Sequence, residues 1–280
     1  MTTIRHALVD AAARLAGSDS SRLDAEVLLA HVLERPRSYL YTWPERTLTP
    51  AQAAAFEALV RRRAAGEPVA HLTGRREFWS LALQVTADTL IPRPETEVLV
   101  EQAVARLPAG GQARVADLGT GSGAVALALA HERPGWRVVG TDRSLPALEV
   151  ARANARRLGL PNLDWVNGHW CAPFRPDCFD LIACNPPYVA EGDPHLLTAD
   201  LPHEPRSALT AGPEGLDALG ELIPGAWQCL RPGGWLLLEH GPTQGAAVRH
   251  LLEAAGFASP ETHPDLGGRP RVTGALRPAC

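Results

Sequence analysis

Asn185 stands directly after an apolar run, residues 179–184, and is followed by Pro186, Pro187 and Tyr188. An asparagine held between a strand end and two prolines can present its side-chain carbonyl, beside a backbone carbonyl, to the NH2 group of a planar amide or amine. Two such acceptors orient the amino group so that its nitrogen lone pair faces a bound electrophile. The same four residues could equally form a Pro-rich turn in which Asn185 is only the cap. Amino-group chemistry therefore requires a site for an electrophile elsewhere in the chain.

A glycine-rich turn at residues 119–123 is the candidate for that second site. It follows the predicted strand 114–118, and its residues are Gly119, Thr120, Gly121, Ser122 and Gly123. Glycine allows the backbone to pass close to a ligand and to adopt angles that other residues avoid. The third glycine comes one residue too early for the fingerprint G-x-G-x-x-G, which disfavours a dinucleotide site without removing it. Asp117, just before the turn, could hold an ammonium group of a ligand directly or through backbone and water.

Two further candidate residues follow the next two predicted strands. Asp142 comes roughly twenty residues after the turn, where a carboxylate accepts hydrogen bonds from both hydroxyls of a ribose. It could also cap the following helix, and the two roles are compatible. Trp170 follows the third strand, where a residue that covers an adenine is expected, although a core tryptophan fits the spacing equally well. The pattern D-x-G-x-G-x-G with an acid at a strand end is typical of class I S-adenosylmethionine methyltransferases.

Composition excludes several classes of protein. The chain has 280 residues, of which 45% are hydrophobic, enough for one large or two modest domains with a core. Its net charge of −4 disfavours a dedicated nucleic-acid binder. All 27 basic residues are arginine, so neither Schiff-base nor P-loop chemistry is available. The cysteines are odd in number and form no C-x-x-C pair, which argues against a disulfide framework and a structural zinc site.

No apolar run approaches the length that spans a bilayer. The first residues also lack the basic and apolar segments of a signal peptide. We therefore expect a cytoplasmic protein, and nothing in the pattern implies a metal.

The chain divides by pattern into three parts. Residues 1–75 carry apolar residues at helical spacing and predict a small helical domain, with a helix start at Thr49-Pro50-Ala51-Gln52. Residues 76–92 show the alternation of strands and predict a β-hairpin connector. Residues 93–280 alternate strands with helices, which predicts a mostly parallel, doubly wound α/β sheet. The predicted strands are 114–118, 136–141, 163–166, 180–184, 234–239 and 272–276. The predicted helices are one that opens at residues 93–97 and continues to 107, then 123–132, 145–158, 215–230 and 243–255.

Three segments together resemble the HemK/PrmC family, the release-factor glutamine N5-methyltransferases. They are Ile91-Pro92-Arg93-Pro94-Glu95-Thr96-Glu97, the glycine-rich turn with its preceding Asp117, and Asn185 through Tyr188. The similarity covers nearly the full length, including a helical N-terminal domain that family members use to dock their protein substrate. It implies the Rossmann-like fold of class I methyltransferases, with S-adenosyl-L-methionine as cofactor and S-adenosyl-L-homocysteine as product.

The resemblance also implies a reaction and a cofactor site. The reaction is methylation of the side-chain amide N5 of the glutamine in the Gly-Gly-Gln motif of class I peptide chain release factors, a step of translation termination. By position, Gly119 to Gly123 would hold the methionine part of the cofactor and Asp142 its ribose. Trp170 would border the adenine and Asn185 would also contact the cofactor. His169 stands where relatives usually have Asp or Ser, which leaves the contact at the adenine edge open.

On the substrate side, the resemblance implies that Asn185 and Pro186 hold the substrate amide while Tyr188 packs against it. These three are the implied catalytic residues, and Pro187 completes the substrate-binding tetrapeptide. The implied partner is a release factor. We expect a monomer that has no direct contact with nucleic acid or membrane.

Three alternatives stay open. Enzymes that methylate a glutamine of a ribosomal protein resemble R-S-P-I where this chain has R-P-E-T-E. Methyltransferases of adenine N6 and guanine N2 share the tetrapeptide N-P-P-Y, because each must orient a planar NH2 group; the acidic chain, without a large insertion for target recognition, disfavours them. A cofactor-binding adaptor without catalysis would have no need for the intact tetrapeptide.

Overall fold

The computed structural model describes residues 2–18, 20–198 and 200–279. The chain separates into two compact units. The first comprises Met1–Arg75 together with His195–His203, and the second comprises Arg76–Pro194 together with Glu204–Cys280. The placement of residues 195–203 in the first unit is not visible in the sequence pattern, because that segment has no helical or strand periodicity.

The first unit is helical. Its helices are α1 (Ile4–Arg14), α2 (Ser21–Leu33), α3 (Arg37–Thr42), α4 (Pro50–Ala64) and α5 (Val69–Thr73). The predicted start of α4 is confirmed: the Thr49 hydroxyl accepts a hydrogen bond from Gln52 N at 3.2 Å, and Gln52 Oε1 accepts one from Thr49 N at 3.0 Å. This capping box satisfies two of the N–H groups that a helix start leaves without partners.

The second unit is built on two sheets. The strands β1 (Arg75–Phe78) and β2 (Leu81–Gln84) pair as a two-stranded sheet, and the remaining strands form a seven-stranded sheet. These are β3 (Arg114–Leu118), β4 (Arg137–Asp142), β5 (Leu163–Asn167), β6 (Phe179–Cys184), β7 (Leu230–Glu239), β8 (Ala258–Pro264) and β9 (Pro270–Leu276). The helices are α6 (Glu97–Arg106), α7 (Ala124–Glu132), α8 (Leu145–Leu158), α9 (Asp217–Cys229) and α10 (Gly245–Ala254).

The strand order in the large sheet is β5-β4-β3-β6-β7-β9-β8. The pairs from β5 to β7 are parallel, and β9 runs antiparallel to β7 and β8. The chain proceeds outward from β3 to β5 and then returns to place β6 on the other side of β3. In open α/β sheets, ligands bind beyond the carboxyl ends of the strands where the order reverses in this way. The fold therefore predicts a site beyond the ends of β3 and β6.

Both faces of the sheet are covered, as the apolar runs of the central strands require. Val115 and Leu181 face a core shared with α6 and α7, whereas Ala116 and Ile182 face a core shared with α9 and α10. The predicted doubly wound methyltransferase fold is confirmed. No helix among the described residues is long and apolar enough to cross a membrane.

One strand was missed by the sequence pattern. β8 contains Pro260 and Pro264, polar residues between them, and a register shift next to Ala258. Proline cannot donate to a strand ladder, so it is tolerated here because β8 is the edge of the sheet. β7 also begins at Leu230 rather than at the predicted residue 234, since the irregular pairing near its start accommodates a Pro-Gly-Gly sequence.

Cysteines give no sign of disulfide pairing in the part of the chain that the structure describes. Cys171, Cys178, Cys184 and Cys229 are free and buried. Burial raises the pKa of each of these thiols. They therefore behave as small core residues. Cys280 lies outside the described residues.

Candidate active site at the strand ends

A cavity of about 400 Å³ lies beyond the carboxyl ends of β3, β4 and β6. All of its lining residues belong to the second unit. Six of them were singled out from the sequence: Gly119, Gly121, Asp142, Trp170, Asn185 and Pro187. Its size is that of a site for a small organic molecule. Because Leu118 pairs with Cys184, the turn after β3 and Asn185 after β6 start side by side.

The glycine-rich turn contributes backbone to the cavity through Gly119 and Gly121, whose φ angles are 70° and 55°. A Cβ at Gly119 would lie 3.2 Å from Cζ3 of Trp170, and a Cβ at Gly121 would meet no atom within 4 Å. Thus the first glycine permits close packing of the indole ring, and the second leaves open space beside the backbone. Thr120, Ser122 and Gly123 are not among the residues that line the cavity.

Asp117 supports the turn from behind. Its Oδ2 accepts hydrogen bonds from the Thr120 hydroxyl at 2.6 Å and from Ala126 N at 3.0 Å. Burial raises the pKa of this carboxyl to about 6, although both hydrogen bonds favour the charged form. Asp117 does not line the cavity, so the suggested contact with a ligand ammonium group gains no support from its position.

Asp142 joins two of the backbone segments around the cavity. Its Oδ2 accepts a hydrogen bond from Gly121 N at 2.9 Å, and its Oδ1 accepts one from Ser144 N at 2.9 Å. Each carboxylate oxygen can accept a second hydrogen bond. The cap of α8 is Ser144, whose hydroxyl accepts a hydrogen bond from Ala147 N, so the predicted capping role of Asp142 is wrong; Asp142 fixes the backbone just before the helix, and an oxygen face remains for two ligand hydroxyls.

Trp170 borders the cavity together with Glu221 and His169. Its Nε1 donates to Glu221 Oε2 at 3.3 Å, and His169 Nδ1 lies 3.4 Å from Glu221 Oε1. All three residues line the cavity. Glu221 lies on α9 and was not identified from the sequence, because nothing in the pattern of that helix shows which strand end it faces. The Glu221 carboxylate thus lies beside His169, the residue that stands where relatives usually have Asp or Ser.

Asn185 is held by a residue of the R-P-E-T-E segment. Its Nδ2 donates to Thr96 Oγ1 at 3.2 Å. No hydrogen bond to the described residues occupies its Oδ1. The side chain that lines the cavity can therefore offer a carbonyl oxygen to a ligand. Thr96 was assigned only to a helix start, and its role appears once the two segments are seen together.

Tyr188 and Pro186 occupy positions different from those of their neighbours in the tetrapeptide. Neither lines the cavity. The Tyr188 hydroxyl instead donates to Glu239 Oε1 at 3.1 Å, and burial raises the pKa of the phenol. Tyr188 thus fixes the backbone that follows Asn185 from behind the cavity wall, and packing of its ring on a substrate is not evident from this position.

Much of the remaining wall comes from two segments outside the predicted site. One precedes the R-P-E-T-E segment and the other precedes α9; their lining residues are Ala87, Asp88, Thr89, Leu90, Pro205, Ser207, Ala208, Thr210 and Ala211. Glu204 ties the two together, because its Oε2 accepts a hydrogen bond from Ile91 N at 2.7 Å and its carboxylate forms an ion pair with Arg93.

Comparison with known proteins decides the family. Residues 6–74 match the PrmC N-terminal domain, and residues 94–216 match the methyltransferase small domain. A release factor glutamine methyltransferase of Xylella fastidiosa (strain Temecula1) is 53% identical over 252 residues, covering 90% of this chain and 92% of the relative. This chain belongs to the release factor glutamine methyltransferase family. The family resemblance seen in its motifs is confirmed.

Other members of the family span the whole chain. A release factor glutamine methyltransferase of Pseudomonas aeruginosa is 50% identical and covers 98% of both chains; that of Escherichia coli K12 is 46% identical and covers 96% of this chain and 97% of the relative. The solved structure of a methyltransferase from Pyrococcus furiosus has a TM-score of 0.54 at 18% identity, over 79% of this chain and 98% of the other. That structure supports the fold alone.

Proposed function

We propose that this chain transfers the methyl group of S-adenosyl-L-methionine to the side-chain amide N5 of the glutamine in the Gly-Gly-Gln motif of class I peptide chain release factors. The observation that carries the proposal is Asn185, which lines the cavity while its Nδ2 is bound to Thr96. Its Oδ1 is then free to accept a hydrogen bond from a substrate NH2 group. The names of the family members supply the substrate.

The cavity suits the cofactor. Gly119 and Gly121 bring bare backbone to its wall, Asp142 offers oxygens for a ribose, and the Trp170 ring provides a flat apolar border for an adenine. S-adenosyl-L-methionine supplies a methyl group on a positively charged sulfur, which is a strong electrophile. We propose these four residues as its principal contacts, with Asn185 at the end nearest the methyl group.

The residues of this chain act by positioning. A glutamine amide is a poor nucleophile, because its nitrogen lone pair is shared with its carbonyl. Holding reacting atoms in line within about 3–3.5 Å can supply roughly 7–11 kcal/mol. Asn185 Oδ1 accepts a hydrogen bond from the substrate NH2 group at the cavity wall and so aims its lone pair; the Pro186 carbonyl is the second acceptor that the family resemblance implies, although Pro186 does not itself line the cavity.

The same two acceptors favour the transition state over the ground state. As the substrate nitrogen gains positive charge, its N–H groups become stronger donors to Asn185 Oδ1 and to the Pro186 carbonyl. Fixed dipoles that strengthen in this way stabilise the transition state. The amide proton becomes acidic only as the new bond forms, so these residues need no strong base beside the nitrogen.

The arginine run at the end of α4, residues 61–63, supports a protein substrate over nucleic acid, because its side chains are paired with acidic residues. Arg62 forms an ion pair with Glu67, and Arg63 forms ion pairs with Asp24 and Asp200. These charges are neutralised within the first unit, so the run is not a basic patch for nucleic acid. We further propose that the protein acts as a monomer in the cytoplasm.

The test is methyl transfer from radiolabelled S-adenosyl-L-methionine to separate acceptors: purified class I release factor, ribosomal proteins, total RNA and DNA. We expect label on the release factor, which mass spectrometry places on the glutamine side chain of its Gly-Gly-Gln motif. A release factor with glutamic acid at that position is the matched control and should stay unlabelled, because it has no amide nitrogen. Label confined to ribosomal protein or nucleic acid would overturn the substrate, and no label despite cofactor binding would favour an adaptor.

A further inference from the structure

Glu239, the last residue of β7, is fully buried and lies outside the cavity wall. Its Oε1 accepts the hydrogen bond from the Tyr188 hydroxyl at 3.1 Å. The Thr96 hydroxyl is near enough to the same carboxyl to favour its charged form, but it makes no hydrogen bond of standard geometry with it, and Oε2 has no hydrogen-bond partner among the described residues. Burial of a carboxylate is costly, so a role for this group is worth seeking.

Its two neighbours belong to the two motifs that form the substrate side of the cavity. Thr96 comes from the R-P-E-T-E segment and Tyr188 from the N-P-P-Y tetrapeptide. Thr96 also accepts the hydrogen bond from Asn185 Nδ2 at 3.2 Å. A chain of polar groups therefore runs from Glu239 through Thr96 to Asn185, and its last member lines the cavity.

We propose that Glu239 is a positioning residue. It determines which groups in this chain of polar groups donate and which accept, and thereby fixes which end of the Asn185 amide faces the substrate. The inference rests on the proposed function, because it concerns how a substrate NH2 group is received. Glu239 does not contact the substrate on this proposal, but it helps to determine the orientation of the substrate amide.

The orientation of the Asn185 amide depends on how many protons these polar groups carry. The two ends of an asparagine amide have nearly the same shape, and one donates whereas the other accepts. The Thr96 hydroxyl has one proton. A charged Glu239 takes that proton as acceptor, and the Thr96 oxygen must then accept from Asn185 Nδ2, which leaves Oδ1 toward the cavity.

Without the charge on Glu239 this direction is lost. The Thr96 hydroxyl can then donate to Asn185 Oδ1, and the amide turns over so that its NH2 end faces the cavity. Two NH2 groups would meet there, and neither can accept a hydrogen bond from the other. A substrate amide would lose the acceptor that aims its lone pair.

The charge state of Glu239 is tunable near neutral pH. Burial, with a smaller contribution from Glu95, raises the pKa of its carboxyl to about 7 against the opposing effects of Thr96, Arg271 and Tyr188. His240, next along the chain, bonds instead to Gly241 O and to Thr273 Oγ1, each at 2.8 Å. The proposal therefore predicts that turnover falls as the pH drops below about 7, where the carboxyl takes up a proton.

The test uses three variants of the full chain. Glu239→Gln removes the charge and keeps the shape, Thr96→Val breaks the chain, and Thr96→Ser keeps the hydroxyl. We expect kcat with release factor to fall by about tenfold to a hundredfold in the first two and to stay near wild type in Thr96→Ser. The dissociation constant for S-adenosyl-L-methionine should change by less than about threefold in all of them.

A matched control is Thr273→Val. Thr273 lies on β9, the strand beside β7, and among the described residues its buried hydroxyl has hydrogen bonds with His240 and Thr262. This variant should keep wild-type kcat. Stability separates a positioning role from a structural one. Because the folded-state pKa of Glu239 is raised, its stabilising contribution is lost as the pH rises through about 7. Glu239→Gln should therefore melt no lower than wild type at about pH 8, although it turns over more slowly.

Three outcomes of the kinetic experiments would overturn the proposal. One is wild-type kcat in Glu239→Gln. Another is a fall of kcat by the same factor when Glu239→Gln is introduced into Asn185→Ala as when it is introduced into wild type. The charge is expected to act only through the Asn185 amide, so it should have no effect once that amide is gone. Persistence of the acidic fall of kcat in Glu239→Gln would likewise contradict it.

A readout without any acceptor keeps this inference separate from the proposed function. The side-chain NH2 signal of Asn185 in an NMR spectrum is assigned by its loss in Asn185→Ala. We expect it to shift as the pH passes about 7 in the wild type and to stay constant in Glu239→Gln. The same shift in both proteins, or none in either, would overturn the inference even if release factor is methylated. If the shift is as expected but release factor stays unlabelled, only the proposed substrate fails.

Discussion

Asp142 acts at the scale of a single residue, because one carboxylate joins Gly121 N, Ser144 N and the proposed ribose site. Asp142→Ala removes the acceptor for two ligand hydroxyls. A hydrogen bond to a charged group contributes about 1.5–3 kcal/mol, so the loss of two should raise the dissociation constant for S-adenosyl-L-methionine by about a hundredfold or more. Calorimetric titration measures it directly.

The control for that experiment is Asp164→Ala, which removes an exposed carboxylate paired with Arg137 on the neighbouring strand. Cofactor affinity should not change there. If Asp142→Ala binds the cofactor as tightly as wild type, Asp142 does no more than hold the glycine-rich turn and the backbone before α8.

Several of these residues could be identified from the sequence, and others could not. Gly119, Gly121 and Asn185 follow strand ends, and the ends of parallel strands meet at one edge of a sheet. Thr96 and Glu239 could not be assigned roles, because their function depends on a contact between segments far apart in the chain. Tyr188 was predicted to pack against the substrate. The structure shows its hydroxyl donating to Glu239, and the packing of its ring on a substrate stays a prediction.

At the scale of an element, α2 and α3 are joined by a buried carboxylate. Glu26 accepts hydrogen bonds from Arg22 at 2.7 Å, from Arg37 at 2.9 Å and from the Tyr41 hydroxyl at 2.5 Å. Burial raises its pKa, but the three donors together outweigh burial and hold the pKa below its usual value. The carboxylate therefore links the two helices in its charged form.

Glu26→Gln should weaken that link. The free energy of unfolding of the full chain is expected to fall by about 1–3 kcal/mol at neutral pH. Because the folded-state pKa of Glu26 is lowered, its contribution is present above the unfolded-state pKa and is lost as the pH falls through the folded-state value. The difference between variant and wild type should therefore shrink below about pH 4.5. Denaturant unfolding followed by tryptophan fluorescence measures both.

Glu57→Gln provides the comparison for Glu26, because Glu57 is paired with Arg14 on the surface. An exposed pair contributes about 0–1 kcal/mol, so this variant should be close to wild type. An equal loss in both variants would show that burial of Glu26 adds nothing to the link between the helices.

Element types were predictable where periodicity was strong. The strand at residues 114–118 and the helix at residues 145–158 have the predicted bounds. β8 was missed, because an edge strand needs neither a continuous apolar run nor freedom from proline. Local pattern therefore sufficed for the buried strands and failed at the sheet edge.

At the scale of the whole molecule, topology explains why short motifs located the site. Strands β3 and β6 are adjacent although they are far apart in the chain, and the reversal of strand order opens the crevice between their ends. The division of the chain into units was less accessible. Residues 195–203 group with the first unit, and no periodic signal in that segment indicates which unit it joins.

The proposed function requires that this chain accelerate methyl transfer by orienting an amide. The most direct test of that requirement is the single-turnover rate of Asn185→Ala. Purified variant and wild type are mixed with saturating S-adenosyl-L-methionine and release factor, and the appearance of methylated glutamine is followed. We predict a rate about a hundredfold lower or more, by analogy with the loss of single transition-state hydrogen bonds, with cofactor binding mostly intact. A rate near that of the wild type would contradict the account, because Asn185 would then have no part in orienting the substrate.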